Sequence, residues 1–338
     1  MPTSQKKFFT ALAPMRDITN RQFCDLFTNY GEPDFYVTEF LRVHLTSKID
    51  TNIEDFLLNR QSKNPIFIQL LGHEPNEFVR IAEQLAHLGA SGIDLNFGCP
   101  MPKICKKGTG GMLLTEPAAI ERIVSALKEN SRLPISAKIR IGFSDDSNFD
   151  EILRILNKYD LFCVTVHART VRGLYREPVN YEYVKYAKEL LNCPVLANGE
   201  INSAEQAINV IHSTGCDGVM IGRAAIRNPY IFSQIKSLIQ RKPVQQVTFQ
   251  NIEHYIDHLM QIAENSVHNE QSQVCLMKKY LNFIGQSIDE NGEFLYHMRR
   301  TSSKSELIQV IKNYISAMGQ RLLHDGPYPN LLARPNCE

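Results

Sequence analysis

Residues 193–222 read CPVLANGEINSAEQAINVIHSTGCDGVMIG. An apolar run, CPVLANG (193–199), leads into the amphipathic segment NSAEQAINVIHSTG (202–215), and a second apolar run, CDGVMIG (216–222), follows. Short runs of this kind, bordered by Gly or Pro, favour strands. Asn202-Ser203 suits the start of a helix between them and Gly215 suits its stop. Two strands that are hydrophobic almost throughout, joined by an amphipathic helix, describe a parallel pair covered by that helix.

The same alternation extends back to the start of the chain. FFTALAP (8–14), DFYVTEF (34–40), PIFIQLL (65–71), GIDLNF (92–97), LPISAKIRI (133–141) and DLFCVTVHA (160–168) complete a set of strand candidates. Helical patterns lie between them, such as EPNEFVRIAEQLAHLG (74–89) and EPAAIERIVSALKEN (116–130), where Glu116-Pro117 suits a helix start and Gly89 a stop. Eight such units predict an α/β fold, a (β/α)8 TIM barrel over residues 1–240, in preference to an open doubly wound sheet. After QRKPVQQVTF (240–249), which reads as a linker, four helical patterns follow without strand candidates. They cover 248–267, 272–287, 293–300 and 303–323, and predict a smaller all-helical C-terminal domain over 241–338 with a ragged tail from Asp325.

The 338-residue chain has an ordinary globular composition, 43% hydrophobic and 22% charged, and a net charge of +1. A nucleic-acid binder of this balance needs its positive charge gathered locally. No apolar run approaches a membrane span, and MPTSQKKFFTALAPM (1–15) lacks the long apolar region of a signal peptide, so a cytoplasmic protein is expected. The eight cysteines form no CxxC pair and show no metal-ligand spacing, so neither a disulfide framework nor a metal site is expected. Nothing in the sequence demands more than a monomer.

In a barrel, polar residues at the carboxyl ends of the strands converge on one mouth. Here they are Pro14-Met15-Arg16, Gln69, Asn96 with Cys99, Lys138 with Arg140, His167 with Arg169, Asn198-Gly199-Glu200 and Gly222-Arg223, from strands one, three, four, five, six, seven and eight. Glycines after strands seven and eight let backbone N–H groups approach a phosphate, and Arg223 adds charge-assisted contacts. An inward lysine on strand five calls for an anion, which the N1–C2=O edge of a reduced flavin supplies, while Gln69 and Asn96 donate and accept along the same ring. With no GxGxxG after the first strand and one phosphate site, the cofactor expected is flavin mononucleotide, FMN.

The segments APMRDITN (13–20), GIDLNFGCPMPKICKKGTGGMLL (92–114), SAKIRIGF (136–143), VHARTVRGLY (166–175), NGEI (198–201) and GCDGVMIGR (215–223) together resemble the tRNA-dihydrouridine synthases. The NxGCP element followed by a loop of lysine and glycine is the most specific part. The resemblance implies that reduced FMN delivers hydride to C6 of a uracil while Cys99 protonates C5. A thiol suits that role because it is largely protonated at neutral pH. Cys105 is a weaker candidate for the same task.

Two loops carry basic clusters: Lys103, Lys106 and Lys107 meet no acidic residue before Glu116, and Arg169, Arg172 and Arg176 meet none before Glu177. They are expected to form a positive rim for RNA phosphates on the flavin side. The target base has to leave its stack, Tyr175 is placed as its neighbour, and Arg140, expected to alternate in direction from Lys138, is expected to contact the uridine or its phosphate. Residues 241–338 hold equal numbers of basic and acidic side chains, so that domain is not globally basic; its pairs Lys278-Lys279 and Arg299-Arg300 are the local exceptions. His254 and His258 share a helix face without a third ligand and read as surface residues. NADPH is the expected reductant, with NADH as the alternative. Two other readings are a flavin barrel acting on a free pyrimidine, like a dihydroorotate dehydrogenase, and a catalytically idle RNA-binding barrel. The first expects an NxSxPN-like run where this chain has NFGCP and has no need of a basic rim; the second leaves Cys99, Lys138, His167 and Asn96 unexplained.

Overall fold

A computed structural model describes residues 8–333 of the chain. Eight strands alternate with helices: β1 (Phe9–Leu12), β2 (Phe35–Val37), β3 (Ile66–Leu71), β4 (Gly92–Phe97), β5 (Ile135–Arg140), β6 (Cys163–His167), β7 (Val195–Asn198) and β8 (Gly218–Ile221). Every neighbouring pair is parallel, and β8 pairs back to β1 with Phe9 opposite Gly218. The sheet therefore closes into a (β/α)8 barrel. A further two-residue strand, Leu41–Arg42, pairs with the end of β3 and stands outside the ring.

The barrel interior is layered by the two-residue period of its strands. Ala11, Ala13, Phe35, Val37, Phe67, Cys163, Leu196 and Met220 pack together with Phe9 and Phe162 as an apolar layer. Two residues beyond Phe67, Cys163 and Leu196 come Gln69, Thr165 and Asn198, so the same inward face turns polar toward the carboxyl ends of the strands. Rings at close range, such as Phe67 and Phe162 with centroids 4.7 Å apart, close off the far side. Burying one such side chain stabilises the fold by about 1.5–3 kcal/mol, which fixes the polar positions above them.

Two compact units divide the chain, and they do not follow a single cut. One comprises Met1–Arg21, Pro33–Glu200 and Asn209–Ile221; the other comprises Gln22–Glu32, Ile201–Ile208 and Gly222–Glu338, so residue 240 falls inside the second. The reason lies in aromatic packing within that unit. Phe23 stacks on Tyr280 and Phe27 meets Phe232, both pairs belonging to it. Its helices include Phe249–Ser266, Glu270–Ile284, Glu293–Arg300 and Lys304–Tyr314. Capping boxes at Thr248/Asn251 and Ser303/Glu306 start the first and last of these.

Three sequence expectations are corrected here. The pattern at 303–323 stops as an α-helix at Tyr314, and Leu322 instead forms an antiparallel bridge with Thr248. The segment from Asp325 is tied down as far as it is described: Tyr328 N donates to Gln286 O, and Gln286 Nε2 donates to Leu331 O. Residues 334–338 of that expectation, like residues 1–7, lie outside the described residues. His258 is more than a surface residue, because its Nδ1 hydrogen-bonds the Tyr30 hydroxyl at 2.6 Å.

Candidate active site

The polar layer is built as one chain of hydrogen bonds. Asp94, 1% exposed, accepts from Ser136 Oγ at 2.7 Å and from Gln69 Nε2 at 2.7 Å. That leaves Gln69 Oε1 to accept from Asn96 Nδ2 at 2.7 Å. Asn96 Oδ1 is thereby turned toward the loop, where it accepts from Gly98 N at 3.2 Å and Cys99 N at 2.9 Å. The strand register dictates this: Gln69 lies opposite Asp94, and Asp94 opposite Ser136. Burial pushes the Asp94 carboxyl up, with its hydrogen bonds from Gln69 and Ser136 opposing.

Lys138 lies opposite Asn96 and Thr165. Its ammonium donates to Asn198 Oδ1 at 2.9 Å, and Asn198 Nδ2 donates to Met220 O at 2.8 Å. Burial, aided by the Arg140 charge, lowers its pKa to about 8. A cation at this depth, hydrogen-bonded to a neutral amide, favours an anionic ligand that would restore its charge. Cys99, half-buried, has its thiol pushed up by burial, an effect that the Met101 N–H and the cations Arg140, Lys138 and Arg42 oppose. Cys105 Sγ points at the Cys99 carbonyl at 3.5 Å.

Gly199 has φ +112, and a Cβ there would stand 2.8 Å from the His167 ring, so the strand-seven turn needs glycine for both reasons. Tyr181 donates from its hydroxyl to Gly199 O at 2.5 Å, a support the sequence offered no means of finding. His167 is buried opposite Asn198. At the end of β1, Met15 N donates to Thr19 Oγ1, Pro14 is half-buried and Arg16 is exposed. Gly222 follows β8 directly and opens the helix Arg223–Arg227, which belongs to the second unit.

A family model described as dihydrouridine synthase matches residues 11–318. The chain belongs to the dihydrouridine synthase family. It is 31% identical to the "tRNA-dihydrouridine(16) synthase" of Ralstonia nicotianae, with 92% of this chain and 97% of that one covered. It is also 31% identical to the "tRNA-dihydrouridine synthase B" of Pasteurella multocida, over 69% of this chain and 70% of that one. Among solved structures, the old yellow enzyme homologue of Zymomonas mobilis aligns with a TM-score of 0.46 at 11% identity, covering 71% of this chain and 90% of that one.

In this dihydrouridine synthase the structure revises several expected roles. Arg140 stands two residues after Lys138 and so shares its inward face rather than alternating with it. It is 2% exposed and donates to the carbonyls of Gly98 (3.1 Å), Thr170 (2.7 Å) and Leu174 (2.8 Å). It braces the Cys99 loop against the loop after β6, and its guanidinium lies 5.4 Å from the exposed Tyr175 ring. Arg169 is also buried, at 1%, and pairs with Glu200 at 2.6 Å while donating to Glu177 O. The cluster 169/172/176 is therefore not free of acid. Its first member is neutralised from the next strand end, a pairing that sequence distance hides. Arg172 and Arg176 are exposed, as are Lys103, Lys106 and Lys107. In the helical unit Lys278 donates to Arg299 O and Thr301 O, and Arg299 donates to Asn282 and Leu332, so the two basic pairs are partly used internally. Among the described residues no group of acidic, His and Cys side chains is arranged to hold a metal, and no helix is long and apolar enough to cross a membrane.

Proposed function

We propose that this protein is a tRNA-dihydrouridine synthase that saturates the 5,6 double bond of a uridine in tRNA, with FMN as hydride carrier and NADPH as reductant. The observation that carries the reading is one mouth holding two groups at once. A thiol, Cys99, is fixed through its backbone by Asn96, and a buried cation, Lys138, is aimed by Asn198. The Lys138 environment fits a flavin, whose reduced ring is anionic, and the buried Arg169 Nη1 with no hydrogen-bond partner among the described residues offers another donor. Gln69, Lys138 and His167 would hold the ring and Asn198-Gly199-Glu200 the phosphate end, with Pro14, Met15 and Arg16 lining the first strand end.

When bound and reduced, FMN supplies hydride to C6 of the uracil. Cys99 donates its thiol proton to C5 and is reprotonated from solvent, which balances the two-electron reduction. Its raised pKa keeps the proton in place at neutral pH. Asn96 holds the loop so that this proton arrives at a defined position, and Arg140 keeps the loop from opening. Exposed Tyr175 offers a ring to the unstacked base. Lys103, Lys106, Lys107, Arg172 and Arg176 contact phosphates, and the helical unit engages the body of the tRNA. The relative that aligns along nearly the whole chain carries position 16 in its name, so uridine 16 is the expected target.

The test is direct. Purified protein loaded with FMN and given NADPH should convert one uridine of an unmodified tRNA transcript to dihydrouridine, read by mass spectrometry. Free uridine should be a poor substrate, since it lacks the remote contacts that position the base. Equal turnover of free uridine would favour the small-molecule flavin barrel instead.

A further inference from the structure

Beside the Cys99 loop runs a groove of about 310 Å³ that the proposed reaction has not used. One wall is that loop, through Ile104, Lys107 and Thr109; the other is Val43 and His44, carried by the extra strand Leu41–Arg42. The floor is apolar: Val43 and Leu71 are each 3% exposed and Ile104 is fully buried. Val43 N donates to Leu71 O, and a Cβ on Gly72 would stand 2.6 Å from Val43 O, so the Val43 wall is fastened to the floor at Leu71 and Gly72. Arg42 and Lys107 rise at its edges without an ion-pair partner among the described residues. His73 adds an imidazole, already matched by Glu74 at 3.1 Å. Arg42 is also near enough to Cys99 for its charge to hold down the thiol's pKa, which places the groove next to the reacting position.

An apolar floor between two unneutralised cations is complementary to a nucleotide, with its base face on the floor and its phosphate at the edges. The volume is at the lower end for ligand pockets, about 300–1,000 Å³, and suits one nucleotide rather than a dinucleotide. We propose that this groove takes the nucleotide adjacent to the target uridine in the tRNA, held by Arg42 and Lys107. The inference rests on the tRNA reading above and deepens it. Extruding one base leaves its neighbour without a stacking partner, and the groove would supply a replacement surface beside the Cys99 loop.

The test uses the full-length FMN-loaded protein with Arg42→Gln, a residue outside the basic rim proposed above, and with Lys107→Gln for comparison. Both side chains are exposed, so the fold is expected to hold. Arg42→Gln alone should raise the KM for tRNA about fivefold and flatten the plot of log affinity against log salt by roughly one unit, the loss of one phosphate contact. Its kcat should change less than its KM, and the rate of flavin reduction by NADPH should stay at the parental value. A transcript with an abasic site beside the target should bind the parent several-fold more weakly. Unchanged KM and salt slope beside an active parent overturn the groove alone. Slower flavin reduction with unchanged tRNA affinity also overturns it, and assigns the groove to the reductant. A parent unable to reduce tRNA would remove the proposed function itself, and this inference with it.

Discussion

Gln69 Nε2 donates to Asp94 Oδ2 at 2.7 Å, and that bond decides which way the Gln69 amide faces. Reversing the amide would set its NH2 against the NH2 of Asn96 and turn Asn96 Oδ1 away from the Cys99 backbone. The buried Asp94 carboxyl, in register with Gln69, thus positions the proton donor without touching it. Asp94→Ala leaves Gln69 Nε2 without its acceptor and weakens the hold on Ser136. The expected loss is about 2–4 kcal/mol of stability, at about 1–3 kcal/mol per unsatisfied buried group, measured by denaturant unfolding. The reduction of tRNA should fall further than the flavin content.

Lys138 gives a pH dependence whose sign follows from its depressed pKa of about 8. Below pH 8 the ammonium is charged and available to an anion. As pH rises through 8 it is lost from the flavin-free protein, so affinity for reduced FMN should fall by up to tenfold per unit. Lys138→Met should bind more weakly and show no such slope. The stability of the flavin-free protein should move the opposite way: a lowered folded-state pKa means that this group's penalty is relieved between pH 8 and the lysine's ordinary 10.5. Calorimetric titration with reduced FMN across this range checks the first sign, and denaturant unfolding of the flavin-free protein checks the second.

Most of the barrel was legible because its strands are apolar on both faces and its helices are bordered by Gly, Pro, Asn or Ser. All eight strand candidates became β1 to β8, and the polar strand ends were visible as a set. Partners brought together by register rather than sequence were not legible. Asp94 looked like one more residue of an apolar run, yet it anchors Gln69 and Ser136. Arg169 looked exposed in a basic loop, yet Glu200 from another strand end buries it. Arg140 was within reach of a simple parity argument, since residues two apart on a strand share a face. The extent of the helical unit was hidden because Phe23, Phe27 and Tyr30 pack within it although they lie far from it in sequence.

The two thiols of the loop should separate cleanly. Cys99→Ala should still bind flavin and accept hydride from NADPH, yet reduce tRNA about 10²–10⁴-fold more slowly, the usual cost of removing a general acid. Cys105→Ala should retain activity. Because burial raises the Cys99 pKa, the loss of its proton should set in at higher pH than for an ordinary thiol, in protein kept saturated with FMN. Single-turnover oxidation of the reduced flavin by tRNA measures all three. Activity that survives in Cys99→Ala and vanishes in Cys105→Ala would transfer the role.

Glu200 is 45% exposed while its partner Arg169 is buried, so solvent screens only one end of the pair. Glu200→Gln should therefore destabilise by about 1–2 kcal/mol, between the values for exposed and buried pairs. The loss should persist in high salt, because the arginine is left in the interior. Urea unfolding at low and high ionic strength tests this, and a loss that salt abolishes would show the pair to be a surface contact.

Cys99 and the mouth around Lys138 are proposed to reduce a uridine of tRNA. Dihydrouridine should be mapped position by position in tRNA from cells lacking this protein, and again after supplying either the parent or Cys99→Ala. One position, expected to be 16, should lose dihydrouridine, the parent should restore it, and Cys99→Ala should not. Unchanged dihydrouridine at every position in the deletion strain, or full restoration by Cys99→Ala, would contradict this proposal.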